Sequence, residues 1–252
     1  MGLFLPCDYA RSKGKVEPYV ERRLKHIVTA CYGGTVIGSN GVDDDIPLSI
    51  LDVGCGDGAL IPYLFNTKED DGGDEDATEK STINYKGLDV STVMIDMAKS
   101  QHSKYTFVDG SFPEDLDDNE RFDTILFNGS LQFFRDTIQT LQHARARLFA
   151  SDRNKDNDDD TPQRKNRRKS RIVLSHVQGA KFVKDECRTS QGVAVRNMPN
   201  KVSLEDYAKL MNMKVLYKEE ILIDGIDKSN NKYDPQLDGD DDQFYLVVLE
   251  EL

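Results

Sequence analysis

Residues 48–58 read LSILDVGCGDG, a compact apolar run that breaks into alternating glycines and acids. Bounded by Pro47 and Gly54, the run suits a strand buried on both faces. Gly54-Cys55-Gly56-Asp57-Gly58 then supplies a tight turn, because residues without a Cβ bend sharply and let a ligand approach the backbone. A short helix from about Asp57 to Phe65 is expected next.

Working outward, Val20, Leu24, Ile27, Val28 and Cys31 recur at helical spacing and Gly33-Gly34 supplies a stop, so 16–32 reads as an amphipathic helix. After the glycine turn, YKGLDV ends a second strand at Asp89, and Ser91 caps a helix whose inner face is Met94, Met97 and Ala98. YTFVDG (105–110) and FDTILFN (122–128) read as strands three and four, and Asp136 opens a helix carrying Ile138, Leu141 and Leu148. RIVLSHV (171–177) is strand five. Ser203 and Asp206 form a capping-box pattern ahead of a helix with Leu204, Tyr207, Ala208 and Leu210, and two late strands cover 214–223 and 243–249. Strands alternating with helices imply an α/β, doubly wound, mostly parallel sheet with helices on both faces. The loops after residues 53, 89, 109, 128 and 175 then converge on one cleft at the carboxyl ends of the strands. A single domain over 1–252 is expected, with an N-terminal helical or lid segment at 1–35 and polar surface insertions at 67–82, 151–169 and 225–242.

A net charge of −12 repels polyanions over most of the surface and argues against a nucleic-acid partner. The basic half of 151–169 (RKNRRK) lacks interleaved aromatics and adjoins its own acidic half, so it reads as a loop. Four cysteines (Cys7, Cys31, Cys55, Cys187) without a C-x-x-C pair suggest neither zinc nor a disulfide framework, which fits a reducing, cytoplasmic setting. No run approaches the roughly 18 apolar residues of a membrane span, and Gly2 lacks the acylation pattern, so no membrane partner is expected.

Gly54, Gly56 and Ala59 also satisfy the G-x-G-x-x-G/A dinucleotide pattern, so a nicotinamide- or flavin-dependent oxidoreductase stands as an alternative. Charge bears on the choice. A dinucleotide lays a pyrophosphate on such a turn, whereas S-adenosylmethionine has no phosphate and brings an ammonium and a sulfonium. Asp52 and Asp57 flank the turn and would repel the first and attract the second; the structural alternative is that they order the loop and cap the helix. Asp89, at the end of strand two, is placed to accept both ribose hydroxyls, and Asp109, with the Gly110 backbone beside it, to accept from an adenine amine.

LDVGCGDG, YKGLDVSTVMIDMAKS, FVDGSF and FDTILFNGSLQFF, in that order, resemble the successive motifs of class I S-adenosylmethionine-dependent methyltransferases of the small-molecule branch. The resemblance covers residues 48–177 and the remainder by topology only. It implies a Rossmann-like, seven-stranded sheet with the last strand antiparallel, S-adenosyl-L-methionine as cofactor, and a single small-molecule methyl acceptor. It also implies that Gly54, Cys55 and Gly56 adjoin the methionine part, Asp89 the ribose, Val90 and Met94 the adenine face, Asp109 the adenine amine, and the Asn128 carbonyl the methionine ammonium. The segment after strand five matches no acceptor-specific pattern.

Methyl transfer from a sulfonium is a direct displacement needing alignment in a water-poor cleft, with no metal. A hydroxyl acceptor needs a base, and His176, at the end of strand five, is the histidine placed for that role; a packed or cofactor-adjacent imidazole is the competing reading. His26, His102 and His143 read as solvated. Gln132 and Phe133, after strand four, face the acceptor in this fold, and Tyr9 lies in the segment expected to close as a lid. Lys181, Lys184, Arg188 and Arg196 lend the post-strand-five segment a positive character that suits a carboxylate-bearing acceptor, or simply a solvated face. A non-catalytic cofactor-binding module is a third reading.

Overall fold

The computed structural model describes residues 17–33, 47–65, 83–149, 169–189, 194–224 and 240–252. In chain order the elements are α1 (Pro18–Tyr32), β1 (Leu48–Val53), α2 (Ile61–Leu64), β2 (Ile83–Asp89), α3 (Thr92–Gln101), β3 (Thr106–Asp109), β4 (Thr124–Asn128), a 3-10 turn (Leu131–Phe133), α4 (Thr137–Ala146), β5 (Arg171–His176), α5 (Gly179–Thr189), α6 (Lys201–Met211), β6 (Met213–Tyr217), α7 (Lys218–Asp224) and β7 (Tyr245–Glu251). The strands form one seven-stranded sheet in the order β3-β2-β1-β4-β5-β7-β6. β1 to β5 are mutually parallel where they pair, and β7 runs antiparallel to both β5 and β6. Strand order reverses at the β1/β4 pair, which opens a crevice above the carboxyl ends of those two strands.

Successive residues of a strand point to opposite faces, and here both faces are covered. One face, with Leu51, Val53, Ile125, Phe127, Ile172 and Leu174, packs with Leu141 of α4, Val183 of α5 and Leu204 of α6. The other, with Ile50, Leu126, Val173 and Leu246, packs with Ile27 of α1, Ile95 of α3 and Ile221 of α7. This is why the central strands read as continuous apolar runs.

Several sequence expectations shift at their edges. The helix expected from Asp57 shrinks to Ile61–Leu64, because Gly56 and Gly58 take left-handed conformations and extend the turn. The expected strand over 214–223 stops at Tyr217, whose N–H donates to Glu220 Oε2 and starts α7 instead. α6 is capped by Asn200, whose Oδ1 accepts from the Ser203 N–H, so Ser203 lies inside the helix and Leu210 points to solvent. His26 stacks on Phe244 and His102 packs on the glycine turn; neither is fully solvated, while His143 is. The insertions at 67–82 and 151–168 and most of 225–242 lie outside the described residues, as does the 1–16 portion of the N-terminal segment. Within 240–242, the carbonyls of Asp241 and Asp242 accept from the Ala180 and Lys181 N–H groups of α5's first turn. Gly179 (φ 77°) meets that loop so closely that a Cβ would sit 2.2 Å from the Asp242 carbonyl oxygen. Among the described residues no helix is long and apolar enough to cross a membrane.

Buried charges tie the edges to this frame. Arg171 and Glu250, opposite each other on β5 and β7, pair at 2.9 Å, and Lys214 of β6 reaches the same carboxylate at 3.0 Å. Arg23 of α1 donates to the Val177 and Gln243 carbonyls at 2.8 and 2.9 Å. The side chain of Asp52 shares the face of Ile50, not the cleft: it is 3% exposed and accepts from the Tyr85 hydroxyl at 2.9 Å. Its expected role beside the cofactor is therefore corrected by the two-residue period of β1, which turns the carboxyl down toward Cys31 and Tyr85. Burial pushes its pKa up to about 7, against a reduction from the Tyr85 hydrogen bond.

A folded-state pKa raised from about 4 means that the native chain holds the Asp52 proton more tightly than the unfolded chain. Stability from this group is complete below about pH 4 and is lost as pH rises through about 7. Asp52→Asn keeps an acceptor for Tyr85 without the charge. It should raise Tm at pH 8 by roughly 4–8 °C, the effect of about 2 kcal/mol in a domain of this size, and by far less at pH 5. Thermal melts of both proteins across that range check it; parallel curves would count against a buried titrating carboxyl.

Candidate functional site

Parallel register brings five strand tips level: Val53 pairs with Leu88, Asp89 with Asp109, and Asn128 with Ser175, one residue before His176. The turn after β1 is fastened to β2. Gly54 and Cys55 donate their N–H groups to the Leu88 carbonyl at 2.7 and 3.1 Å, and Gly56 donates to Asp89 Oδ2 at 2.9 Å. Gly58 N–H returns to the Cys55 carbonyl at 3.1 Å. Gly54 (φ 77°) admits no side chain, since a Cβ would lie 2.4 Å from that of Ser130. Ser130 in turn donates its hydroxyl to the Val53 carbonyl, locking the loop after β4 to the turn after β1. Above Gly56 the situation is opposite: nothing lies within 4 Å of where a Cβ would stand. The turn thus presents bare backbone to open space.

Asp89 accepts from Gly56 on one oxygen and from the Ser91 N–H on the other, both at 2.9 Å, so one carboxylate joins the glycine turn to the start of α3. Each oxygen keeps a second lone pair for a ligand. Val90 beside it is 73% exposed, an apolar surface at the cleft rim, while Met94 is buried below, its N–H on the Ser91 hydroxyl. Asp109 is exposed at the tip of β3, and Gly110 donates its N–H to the Asp89 carbonyl at 3.0 Å. The Cys55 side chain turns away from the cleft, its sulfur packed against Gly87 of β2, and burial pushes its thiol pKa well up. That leaves only the Cys55 backbone at the turn. Asn128 is half-buried and accepts from the Ser175 hydroxyl at 3.1 Å.

His176 is buried, with its ring stacked on Phe182 of α5 at 5.4 Å. Burial lowers its pKa to about 4. Its Nδ1 accepts from the Gln178 N–H at 3.3 Å, which leaves the proton of the neutral ring on Nε2. Both features weigh against the general base that the sequence suggested, since a weakly basic imidazole whose acceptor nitrogen is occupied is a hydrogen-bond donor at neutral pH. Gln132 is 2% exposed, donates from Nε2 to the Gly129 carbonyl at 2.9 Å, and offers its own carbonyl to the Val195 and Arg196 N–H groups at 3.0 and 3.1 Å. Phe133 is 38% exposed next to it. Tyr9 lies outside the described residues.

The structure thus brings Gly54, Gly56, Asp89, Val90, Met94, Asp109, Gly110, Asn128, Gln132, Phe133 and His176 to one end of the sheet and removes Asp52 from it. Sequence reasoning missed Ser130, Phe182 and Glu186. The spacing of Phe182 and Glu186 was the available signal, since residues four apart share a helix face. Three of the four cations after β5 prove to be engaged locally: Lys181 pairs with Asp185 at 2.7 Å, Arg188 with the same carboxylate at 3.9 Å, and Arg196 donates from Nε to the Arg135 carbonyl at 2.8 Å.

A family model described as a methyltransferase domain matches residues 51–150, from β1 to the end of the α4 region. No curated protein matches the chain by sequence. Among solved structures, the plantazolicin methyltransferase BpumL, in complex with a monoazolic desmethylPZN analog and SAH, is 14% identical over 93% of this chain and 85% of its own, with a TM-score of 0.57. Magnesium protoporphyrin IX methyltransferase (ChlM) from Synechocystis PCC 6803, with bound SAH, is 11% identical over 97% of this chain and 92% of its own, at 0.54. The YcgJ protein from Bacillus subtilis is 12% identical over 91% and 98%, at 0.52. At such identity the structures report a shared fold, and the matched domain lies on the segment that builds the glycine turn, the Asp89 tip and the loop after β4. Residues 51–150 thus match a methyltransferase domain, and the chain as a whole shares the fold of methyltransferases solved with bound SAH.

Proposed function

We propose that the chain transfers a methyl group from S-adenosyl-L-methionine to a nitrogen, oxygen or sulfur nucleophile of a small molecule, and that the cleft above β1, β2 and β4 holds both partners. The observation that carries the cofactor choice is the use of the turn's own donors. The N–H groups of Gly54, Cys55, Gly56 and Gly58 are spent on Leu88, Asp89 and Cys55, and the carboxylates of Asp89 and Asp109 stand beside them. A pyrophosphate needs free N–H groups and no neighbouring anions. A ligand with an ammonium, a positive sulfur and a ribose diol suits what is left. This tells against a nicotinamide or flavin dinucleotide.

In this reading Asp89 accepts from the ribose hydroxyls, Val90 and Met94 cover the adenine face, and Asp109 with the Gly110 backbone takes the adenine edge. Gly54, the Cys55 backbone and Gly56 border the methionine part, and the Asn128 carbonyl faces its ammonium. The bound cofactor supplies an electrophilic methyl on a cationic sulfur. The chain's contribution is alignment and exclusion of water: Phe133 and Phe182 wall the acceptor side, and the neutral His176 donates from Nε2 to orient it. The neighbours named for plantazolicin and magnesium protoporphyrin IX accord with an acceptor of small-molecule size.

Saturating S-adenosylhomocysteine should raise Tm, by the equivalent of about 2.7 kcal/mol at a hundredfold excess over Kd, whereas NAD should leave it unchanged. The reverse outcome replaces the methyltransferase reading with the oxidoreductase one. Asp89→Ala removes a charged acceptor and should weaken S-adenosylhomocysteine binding at least tenfold by calorimetry, about 1.4 kcal/mol or more, with a modest fall in Tm from the two lost backbone contacts. For His176, the ring-proton NMR signals should titrate with a midpoint near 4. A midpoint near 6.5 would restore it as a candidate base.

A further inference from the structure

α5 carries two residues into the acceptor side, Phe182, which walls it, and Glu186, which the reaction as described does not use. Phe182 and Glu186 stand one turn apart on the same flank, Phe182 under the His176 ring and Glu186 against Gln132. The Gln132 amide hydrogen-bonds the Glu186 carboxyl, and Gln132 is itself fixed by its Nε2 on Gly129 and by the Val195 and Arg196 N–H groups on its carbonyl. Gly129 links the two halves of this wall, since a Cβ there would touch the His176 ring at 3.8 Å. β4, β5, α5 and the 194–196 strand of chain thus meet around one patch.

The chemistry of that patch is specific. Gln132 Oε1 is buried and has no hydrogen-bond partner among the described residues, an arrangement that is unfavourable unless a donor arrives. Beside it lies a carboxyl whose pKa burial pushes up and the Gln132 hydrogen bond pulls back, a group that gains from a nearby donor or cation. Around them are exposed ring faces, Phe182 at 42% and Phe133 at 38%. Two of the cations that favoured a carboxylate acceptor are engaged elsewhere: Lys181 and Arg188 flank Asp185 on the solvated side of α5.

We propose that the Gln132–Glu186 pair selects the methyl acceptor, receiving an N–H donor of an amine that carries an aromatic or heteroaromatic ring, the ring resting on Phe182 and Phe133. This rests on the reading of the cleft as a methyl-transfer site and departs from the expectation of a carboxylate-bearing acceptor. Glu186 faces the acceptor's polar end, His176 supplies a donor to its ring plane or heteroatom, and the two phenylalanines keep water from the reacting side.

The test uses benzylamine and benzoate as matched probes, titrated by ligand-observed NMR at 0.15 M salt, where the Debye length of about 8 Å suppresses the general pull of an acidic protein on cations. Each titration is run with and without saturating S-adenosylhomocysteine. Benzylamine should bind about tenfold or more tighter than benzoate, and Glu186→Gln should reduce that ratio below about threefold while leaving the S-adenosylhomocysteine shift in Tm unchanged. Phe182→Ala should weaken both probes and keep their ratio. Equal binding, a benzoate preference, or a ratio untouched by Glu186→Gln overturns the proposal. Should Glu186→Gln fail to fold, the wild-type ratio together with Phe182→Ala still decides it. A benzylamine preference that depends on Glu186 in a protein showing no S-adenosylhomocysteine shift would keep the pair as an amine site and overturn the cofactor reading instead.

Discussion

A single carboxylate holds the cleft in shape. Asp89 receives the Gly56 N–H with one oxygen and the Ser91 N–H with the other, so the turn after β1 and the first turn of α3 are built on the same charge. Charge-assisted hydrogen bonds of this kind are stronger than neutral ones, and here they are spent on aiming backbone. With Gly54 and Cys55 tied to Leu88, the turn has no slack to close on an anion and none to collapse into the space over Gly56. Ligand choice at this end of the sheet is therefore largely a matter of which donors the protein has already used. The same residue would serve the ribose, so fold and recognition are linked through one side chain.

The frame around that carboxylate relies on a few buried charges to set its edges. Arg171, Glu250 and Lys214 cross three neighbouring strands, and Arg23 anchors α1 to the chain leaving β5 and entering β7. Arg171, Glu250 and Arg23 would each be costly alone in an apolar layer and are compensated by partners with good geometry. Asp52 is the contrasting case, with one oxygen on Tyr85 and the other without a hydrogen-bond partner among the described residues. Its pKa rises so that protonation relieves the buried charge, and the neighbouring Tyr85 and Cys31 are pushed up with it.

What the amino-acid sequence revealed followed from period and punctuation. Runs such as SILDV, TILFN and RIVLS carry apolar residues on both faces, and that pattern is the direct imprint of a sheet covered twice. Glycines and acids at the ends of those runs marked the crevice. What it did not reveal depended on alternation and on distant partners. Asp52 lies two residues from the turn, and only the parity of β1 sends it downward; Ile221 and its neighbours look like strand until Glu220 caps a helix. Glu186 and Phe182 acquire meaning only when α5 is laid beside the loop after β4, a contact that no local pattern encodes. His176 ends β5, as its sequence position implies, but its chemical state is set by desolvation and by the Gln178 amide.

The position of β7 bears on how such a molecule is made. It is synthesised after β6 yet inserts between β6 and β5, pairing antiparallel with both. As the chain emerges from the ribosome, β5 must therefore wait with an unpaired, strongly apolar edge, and β6 has no neighbour until β7 arrives. Every contact of this half of the sheet spans a long loop, so its closure is the slow and aggregation-exposed stage of assembly. A nascent chain stalled before residue 245 would offer that edge to chaperones, or to a second stalled chain.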